Sequence, residues 1–89
     1  MTSHTTERFW KLYYELPEHV RRNARDAYRK FAVDPSHPGL QFKPIRGGGS
    51  VYSARINLGY RALGVLDGDV VTWFFIGNHD AYEREMGRR

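Results

Sequence analysis

Cysteine is absent from this 89-residue chain. That excludes disulfide bridges and thiolate-held zinc, and nothing points to an oxidising compartment. No apolar run approaches the roughly 20 residues that a membrane-spanning helix requires. The opening residues Met1-Thr2-Ser3-His4-Thr5 lack the basic-then-apolar pattern of a secretory signal, so a cytoplasmic protein is expected. His4, His19 and His37 have no metal-ligand spacing, and neither a metal nor a cofactor is expected. Acidic residues are missing between Asp34 and Asp67. That stretch holds Lys43, Arg46, Arg55 and Arg61, so it carries +4 by itself, equal to the net charge of the whole chain. The remainder therefore cancels. A field concentrated on one segment suits a polyanionic or acidic partner, whereas a merely solvated face usually mixes signs.

Against these absences stands a hydrophobic content of 40% with 15% aromatic residues, enough for a core and too much for a disordered chain. The length allows one small domain, residues 1–89. Phe9, Leu12, Tyr13 and Leu16 recur at i, i+3, i+4 and i+7 and predict a helix over residues 6–16. Pro17 suits the first turn of a second helix reaching about residue 33. Its apolar stripe is Val20, Ala24, Ala27, Tyr28 and Phe31, with Arg22 and Asp26 spaced to pair on the other side. Asp34-Pro35 ends it, because the residue before proline is pushed out of the α region.

The second half has strand character. Residues 40–45 predict a short strand that Pro44 confines to an edge, since proline cannot donate to a ladder. Gly47-Gly48-Gly49-Ser50 is a hairpin loop, without the ending or the following helix of a phosphate-binding P-loop. Residues 51–56, 60–66 and 70–76 are rich in β-branched and aromatic side chains and predict three strands, with Asp67-Gly68-Asp69 turning between the last two. Asn78 or Asp80 can cap a final helix over about residues 79–86. The expected fold is α+β, with two N-terminal helices on one face of a twisted antiparallel sheet of about four strands and a short C-terminal helix. The aromatics Phe9, Trp10, Tyr13, Tyr28, Phe31, Phe42, Trp73, Phe74 and Phe75 are expected mostly in the core.

The connection Asn57-Leu58-Gly59 decides whether Arg55 and Arg61 act together. A two-residue turn at Leu58-Gly59 pairs Arg55 with Ala62 and places Arg61 on the other face. A three-residue loop, with Gly59 in the left-handed region, pairs Arg55 with Arg61 directly. The latter is expected, placing Ser53, Arg55, Arg61 and Leu63 on one face. Facing arginines repel unless an anion lies between them. Either the pair forms an anion site, or each guanidinium is neutralised by a carboxylate of the last helix, such as Glu83 or Glu85.

Three segments carry a family resemblance: Tyr52-Ser53-Ala54-Arg55-Ile56, Gly59-Tyr60-Arg61-Ala62-Leu63, and Trp73 through Tyr82 with its Ile76-Gly77 ending. Together with the helix-to-strand junction from Asp34-Pro35 to Lys43, they resemble the RelE/ParE superfamily of toxins over nearly the whole chain. The resemblance implies a cognate acidic, partly disordered antitoxin that wraps the sheet or displaces the last helix. It also implies metal-independent cleavage of mRNA, on the ribosome in RelE-like members, by attack of a ribose 2′-hydroxyl on the neighbouring phosphate. Arg61 matches the strand arginine that stabilises charge on that phosphate, and Arg55 matches a strand lysine. His79 falls near a proton-transfer position of some relatives. Tyr82 matches, approximately, a C-terminal tyrosine that stacks on or orients RNA. A second strand lysine of RelE falls on Ser53 here, and the sheet carries no glutamate to act as a base. ParE-type members share the fold, lack this catalytic set and act on DNA gyrase.

The chemistry of the residues is compatible with the cleavage reading. Guanidinium binds phosphate through two parallel hydrogen bonds and stays charged at any relevant pH, so Arg55 and Arg61 suit charge stabilisation rather than proton transfer. His79 is the titratable group of this region with an ordinary pKa near neutrality. The alternative for His79 is a helix-start hydrogen bond, and for Tyr82 plain packing of the last helix. Lys43, Arg46 and Ser53 are the expected RNA contacts outside the chemistry. Three functions stay open: an endoribonuclease toxin, a non-catalytic gyrase inhibitor, and an inactive RNA- or partner-binding domain.

Overall fold

A computed structural model of the chain describes residues 1–45, 47 and 49–87. Thr6 separates a first strand, β1 (Thr2–Thr5), from helix α1 (Glu7–Tyr14), and its hydroxyl caps the helix by accepting from the Phe9 amide at 3.1 Å. Helix α2 (Glu18–Val33) follows, with Pro17 at the N-cap, one residue ahead of its expected place in the first turn. Val20, Ala24, Ala27 and Phe31 are buried as the stripe predicts. Tyr28 and Trp10 are not: they are 53% and 43% exposed, because each lies on the flank of its helix's apolar stripe. Asp26 pairs with Arg29 one turn on, not with Arg22. Beyond α2 the Asp34 carboxylate accepts from both the amide and the hydroxyl of Ser36 at 3.0 and 2.6 Å, which closes the turn and holds its pKa below the usual carboxylate range.

The strand expected over residues 40–45 is cut short: a 3₁₀ turn (Pro38–Leu40) takes its first residue. Gln41 then takes a left-handed conformation at φ 47°, which breaks the extended run and leaves only β2 (Lys43–Pro44). Pro44 does lie on an edge strand. Strands β3 (Val51–Asn57), β4 (Tyr60–Asp67) and β5 (Val70–Asn78) form a meander, and α3 (His79–Gly87) completes the chain. The sheet order is β1-β5-β4-β3-β2, five strands rather than about four. The addition is β1, which runs parallel to β5 with Thr2 opposite Val70 and Thr5 opposite Trp73. The sheet is therefore mixed, not purely antiparallel. Gly68 occupies the left-handed region between β4 and β5 at φ 62°, as an Asp-Gly turn requires.

Alternation along β4 divides the core. Ala62 faces α2 in a cluster with Val20, Phe31, Trp73 and Ile76, while Leu63 faces α3 in a cluster with Ile45, Val51 and Phe75. The helices thus cover both faces, and α3 lies opposite α2 rather than beside it. A register shift between Leu63 and Gly64 lets the backbone of Gly64 pass close to Trp73, where a Cβ would come within 2.8 Å of the indole.

Helix α3 starts where Asn78 accepts a hydrogen bond from the Ala81 amide at 2.9 Å. Asn78→Ala removes this cap and is expected to lower the unfolding free energy by about 1 kcal/mol in urea titration. An unchanged midpoint would show that packing alone sets the start of α3.

Candidate functional site

The hairpin between β3 and β4 sets the site. Asn57 accepts from the Gly59 amide at 2.8 Å and donates to Asn23 of α2 at 2.9 Å, tying the turn to the helix. Asn57 pairs with Tyr60, and Arg55 pairs with Arg61, with Ile56 left over as a bulge. The expected arginine register is present, but by a different device. The turn has two residues, the bulge supplies the extra residue, and Gly59 is absent from the positive-φ glycines among the described residues.

Arg61 is held from three sides. One guanidinium nitrogen donates to the Gln41 side-chain oxygen at 2.7 Å, another to the Ser53 hydroxyl at 3.4 Å, and the guanidinium carbon lies 6.0 Å from the centre of the Tyr82 ring. Arg55 stands directly across from Arg61, and opposed residues share a face. Arg55 also borders a recess of about 100 Å³ with Asn23, Asp26 and Lys30, on the α2 side. The register fixes the direction of its Cβ, but no hydrogen bond or ion pair among the described residues draws its guanidinium into the Arg61 cluster.

The carboxylates that could have neutralised these arginines are engaged elsewhere. Glu83 lies 3.5 Å from His79 Nε2, and Glu85 receives both guanidinium nitrogens of Arg8 at 2.8 and 3.0 Å. No ion pair among the described residues involves Arg55 or Arg61. Burying part of a cation without a counter-ion is unfavourable. Arg61 thus keeps its charge without an ion-pair partner among the described residues.

The other expected residues are distributed around this centre. Lys43 is exposed on β2 opposite Ser53, hence on the same face. Tyr82 packs on the Leu63 cluster as well as lying by Arg61. His79 opens α3 with its side chain 72% exposed, and its ion pair among the described residues is with Glu83, not with the Arg61 surroundings. Arg46 lies outside the described residues. Ser53 requires a correction: at 1% exposure it has no surface to offer RNA, and its hydroxyl instead supports Arg61. Gln41 was missed. No strand pattern signals it, because Gln41 stands outside β2 in a left-handed conformation.

A cleft of about 820 Å³ lies on the opposite side of the sheet between α1 and α2. Its lining includes Trp10, Tyr28, Phe31, Ala54 and Trp73, and none of the expected site residues contributes to it. Arg21, Arg25 and Arg29 stand along α2 at its margin. The Tyr13 hydroxyl accepts a hydrogen bond from Arg25 and raises the pKa of that guanidinium. Among the described residues, no three His, Cys, Asp or Glu side chains are grouped to hold a metal, and no helix is long and apolar enough to cross a membrane.

A mixed five-stranded sheet covered by helices on both faces is the RelE-like fold. Residues 18–84 match the family model of the ParE-like toxin domain, and the chain belongs to that family. Among solved structures, YafQ from Escherichia coli BL21(DE3) aligns with a TM-score of 0.72 at 9% identity, covering 90% of this chain and 94% of YafQ. The RelB–RelE antitoxin–toxin complex of Methanococcus jannaschii aligns with a TM-score of 0.72 at 17% identity, covering 92% of this chain and 96% of the matched chain. The intact RelBE toxin–antitoxin complex of E. coli gives a TM-score of 0.67 at 20% identity, covering 86% and 94%. At such identities the likeness speaks for the fold. No curated protein sequence matches the chain.

Proposed function

We propose that this chain is the toxin of a toxin–antitoxin pair and acts as a metal-independent endoribonuclease on mRNA, with the ribosome as the place of cleavage. The observation that carries the reading is the Arg61 guanidinium, braced by Gln41, Ser53 and Tyr82 and without an ion pair to a carboxylate among the described residues. In the proposed reaction the ribose 2′-oxygen attacks the adjacent phosphorus and the bond to the 5′-oxygen breaks. The products are a 2′,3′-cyclic phosphate and a 5′-hydroxyl. The 2′-hydroxyl loses its proton and the departing 5′-oxygen gains one. Arg61 neutralises the phosphorane, with Arg55 adding a second positive charge. His79 carries a proton, with Glu83 3.5 Å from its Nε2. Tyr82 offers a ring face for an unstacked base. Lys43 and Arg46 contact the RNA backbone and make binding salt-dependent.

The proposed partner is an acidic antitoxin, in keeping with the RelB–RelE complexes and the E. coli DinJ–YafQ toxin–antitoxin complex that share the fold. A disordered acidic chain gains from folding onto a basic surface. Its apolar side chains fit the α1–α2 cleft, and the arginines along α2 complement its charge. The whole pair is proposed to be cytoplasmic.

Purified protein added to a translating extract is expected to cut a reporter mRNA, leaving 5′-hydroxyl ends that primer extension maps. Intact mRNA together with inhibition of DNA supercoiling by gyrase would replace this reading with the non-catalytic one. Intact mRNA with no effect on gyrase would reduce the chain to a binding domain.

A further inference from the structure

We infer that Arg8 is a positioning residue: through its two-point bond to Glu85 it fixes α3 so that the Tyr82 ring stays against the Arg61 guanidinium. The functional part of this inference rests on the reading of Arg61 as the phosphate-binding group.

Helix α3 has nine residues, too few to be stable alone. Its orientation must come from contacts. Packing of Ala81, Tyr82 and Met86 on the Leu63–Phe75 cluster supplies burial, but apolar contacts tolerate small slides and rotations. The Arg8–Glu85 contact does not. Both guanidinium nitrogens reach separate carboxylate oxygens at 3.0 and 2.8 Å, and this fork geometry fixes distance and angle together. Arg8 also lies 5.8 Å from the Phe75 ring centre, so the fork ties α1, β5 and α3 at one point. Glu85 is 6% exposed, whereas the Arg8 side chain is 45% exposed. The Glu85 hydrogen bond raises the Arg8 pKa.

Stability alone does not account for such a pair. Apolar residues of similar volume commonly hold two elements as well as a buried ion pair does, or better. What the pair adds is a defined geometry, and the residue that benefits is in reach. Tyr82 lies three positions before Glu85, on the same side of α3. Rotation of the helix about its axis moves both. Arg61 is held by Gln41 and Ser53 on one side and by the Tyr82 ring on the other. Breaking the fork therefore loosens the third support of Arg61 without touching Arg61 itself.

The test uses the full chain carrying 3-fluorotyrosine, with the Tyr82 fluorine resonance assigned by its loss in Tyr82→Phe. In the otherwise native protein, Arg61→Met is expected to shift that resonance, because a cation leaves the ring face. Two backgrounds then remove the fork: Arg8→Lys, which keeps the charge but not the planar donors, and the double variant Arg8→Met with Glu85→Met, which replaces both ends of the fork with apolar side chains and protects the fold. In both, the response of the Tyr82 resonance to Arg61→Met is expected to disappear while the Tyr52 and Tyr60 resonances stay in place. RNA cleavage in those backgrounds is expected to fall about tenfold, as misplacement of a group by a fraction of an ångström brings. A Tyr82 response that persists in the double variant overturns the inference, whatever the melting temperature. The resonance experiment reads the helix position even if the native protein cuts no RNA, so failure of the nuclease reading and failure of this inference are distinguishable.

Discussion

Arg61→Ala is expected to slow mRNA cleavage in a translating extract by about 10²–10³-fold, the usual loss when one preorganised stabiliser of developing charge is removed. The prediction follows from how the side chain is held. Its guanidinium is braced by Gln41, Ser53 and Tyr82, and no carboxylate among the described residues competes for it. It can therefore meet a phosphorane without reorganising, and alanine removes both the charge and the fork. Unfolding does not mimic the effect. The bond to Ser53 is long at 3.4 Å, and a net hydrogen bond is worth about 1 kcal/mol, so most of the variant stays folded at the assay temperature. Circular dichroism on the same sample checks that point. Arg61→Lys is expected to recover only part of the rate, because an ammonium keeps the charge but not the two parallel donors. If Arg61→Ala cuts at the native rate, the phosphate is bound elsewhere. The opposed arginines then carry no catalytic meaning.

Most of what was legible in the chain was local. Helix α2 could be bounded because Pro17 and Asp34-Pro35 act on their own neighbours, and its stripe of Val20, Ala24, Ala27 and Phe31 is buried as read. Strands β3, β4 and β5 followed from their β-branched content and from the Asp67-Gly68 turn. What escaped depends on distant parts of the chain. β1 contains no apolar residue, and its extended form comes from pairing with β5, some 68 residues later. The Ile56 bulge is invisible locally, yet it keeps Arg55 opposite Arg61 where an unbulged two-residue turn would have separated them. Register was thus expected correctly from the wrong turn.

The site divides in the same way. Residue type showed that Arg61 suits a phosphate, but the brace formed by Gln41 depends on a left-handed backbone at a non-glycine residue, which sequence pattern does not signal. Ser53 looked like a surface contact because serine is polar. Its burial follows from facing Leu63 across the β3–β4 pair and Lys43 across β2–β3. Glu83 and Glu85 were candidates to neutralise the arginines. Their actual partners, His79 and Arg8, are one helical turn and 77 residues away respectively.

Leu63→Ala is expected to lower the unfolding free energy by about 3 kcal/mol, within the range found for fully buried leucines. Leu63 is 0% exposed and sits between Ser53 on β3 and Phe75 on β5, with Ile45 and Val51 in the same cluster. A sheet strand cannot close a void by sliding, because its hydrogen-bond register would break, so the cavity persists and adds to the lost transfer energy. For a chain of this size such a loss lowers the melting temperature by about 12–24 °C. Leu63→Met, which nearly conserves volume, is expected to cost less than about 1.5 kcal/mol. The comparison also separates the two faces of the sheet. Ala62, the next residue, faces α2, where the α1–α2 cleft already leaves apolar groups loosely covered. On the α3 face the cluster is small, and Tyr82 and Met86 complete it. Loss of Leu63 therefore undermines the floor beneath α3 as well as the fold, and scanning calorimetry should register the full drop. A shift of only a few degrees would mean that α3 settles into the space, and that the Arg61 face rests on a softer support than the fork between Arg8 and Glu85 implies.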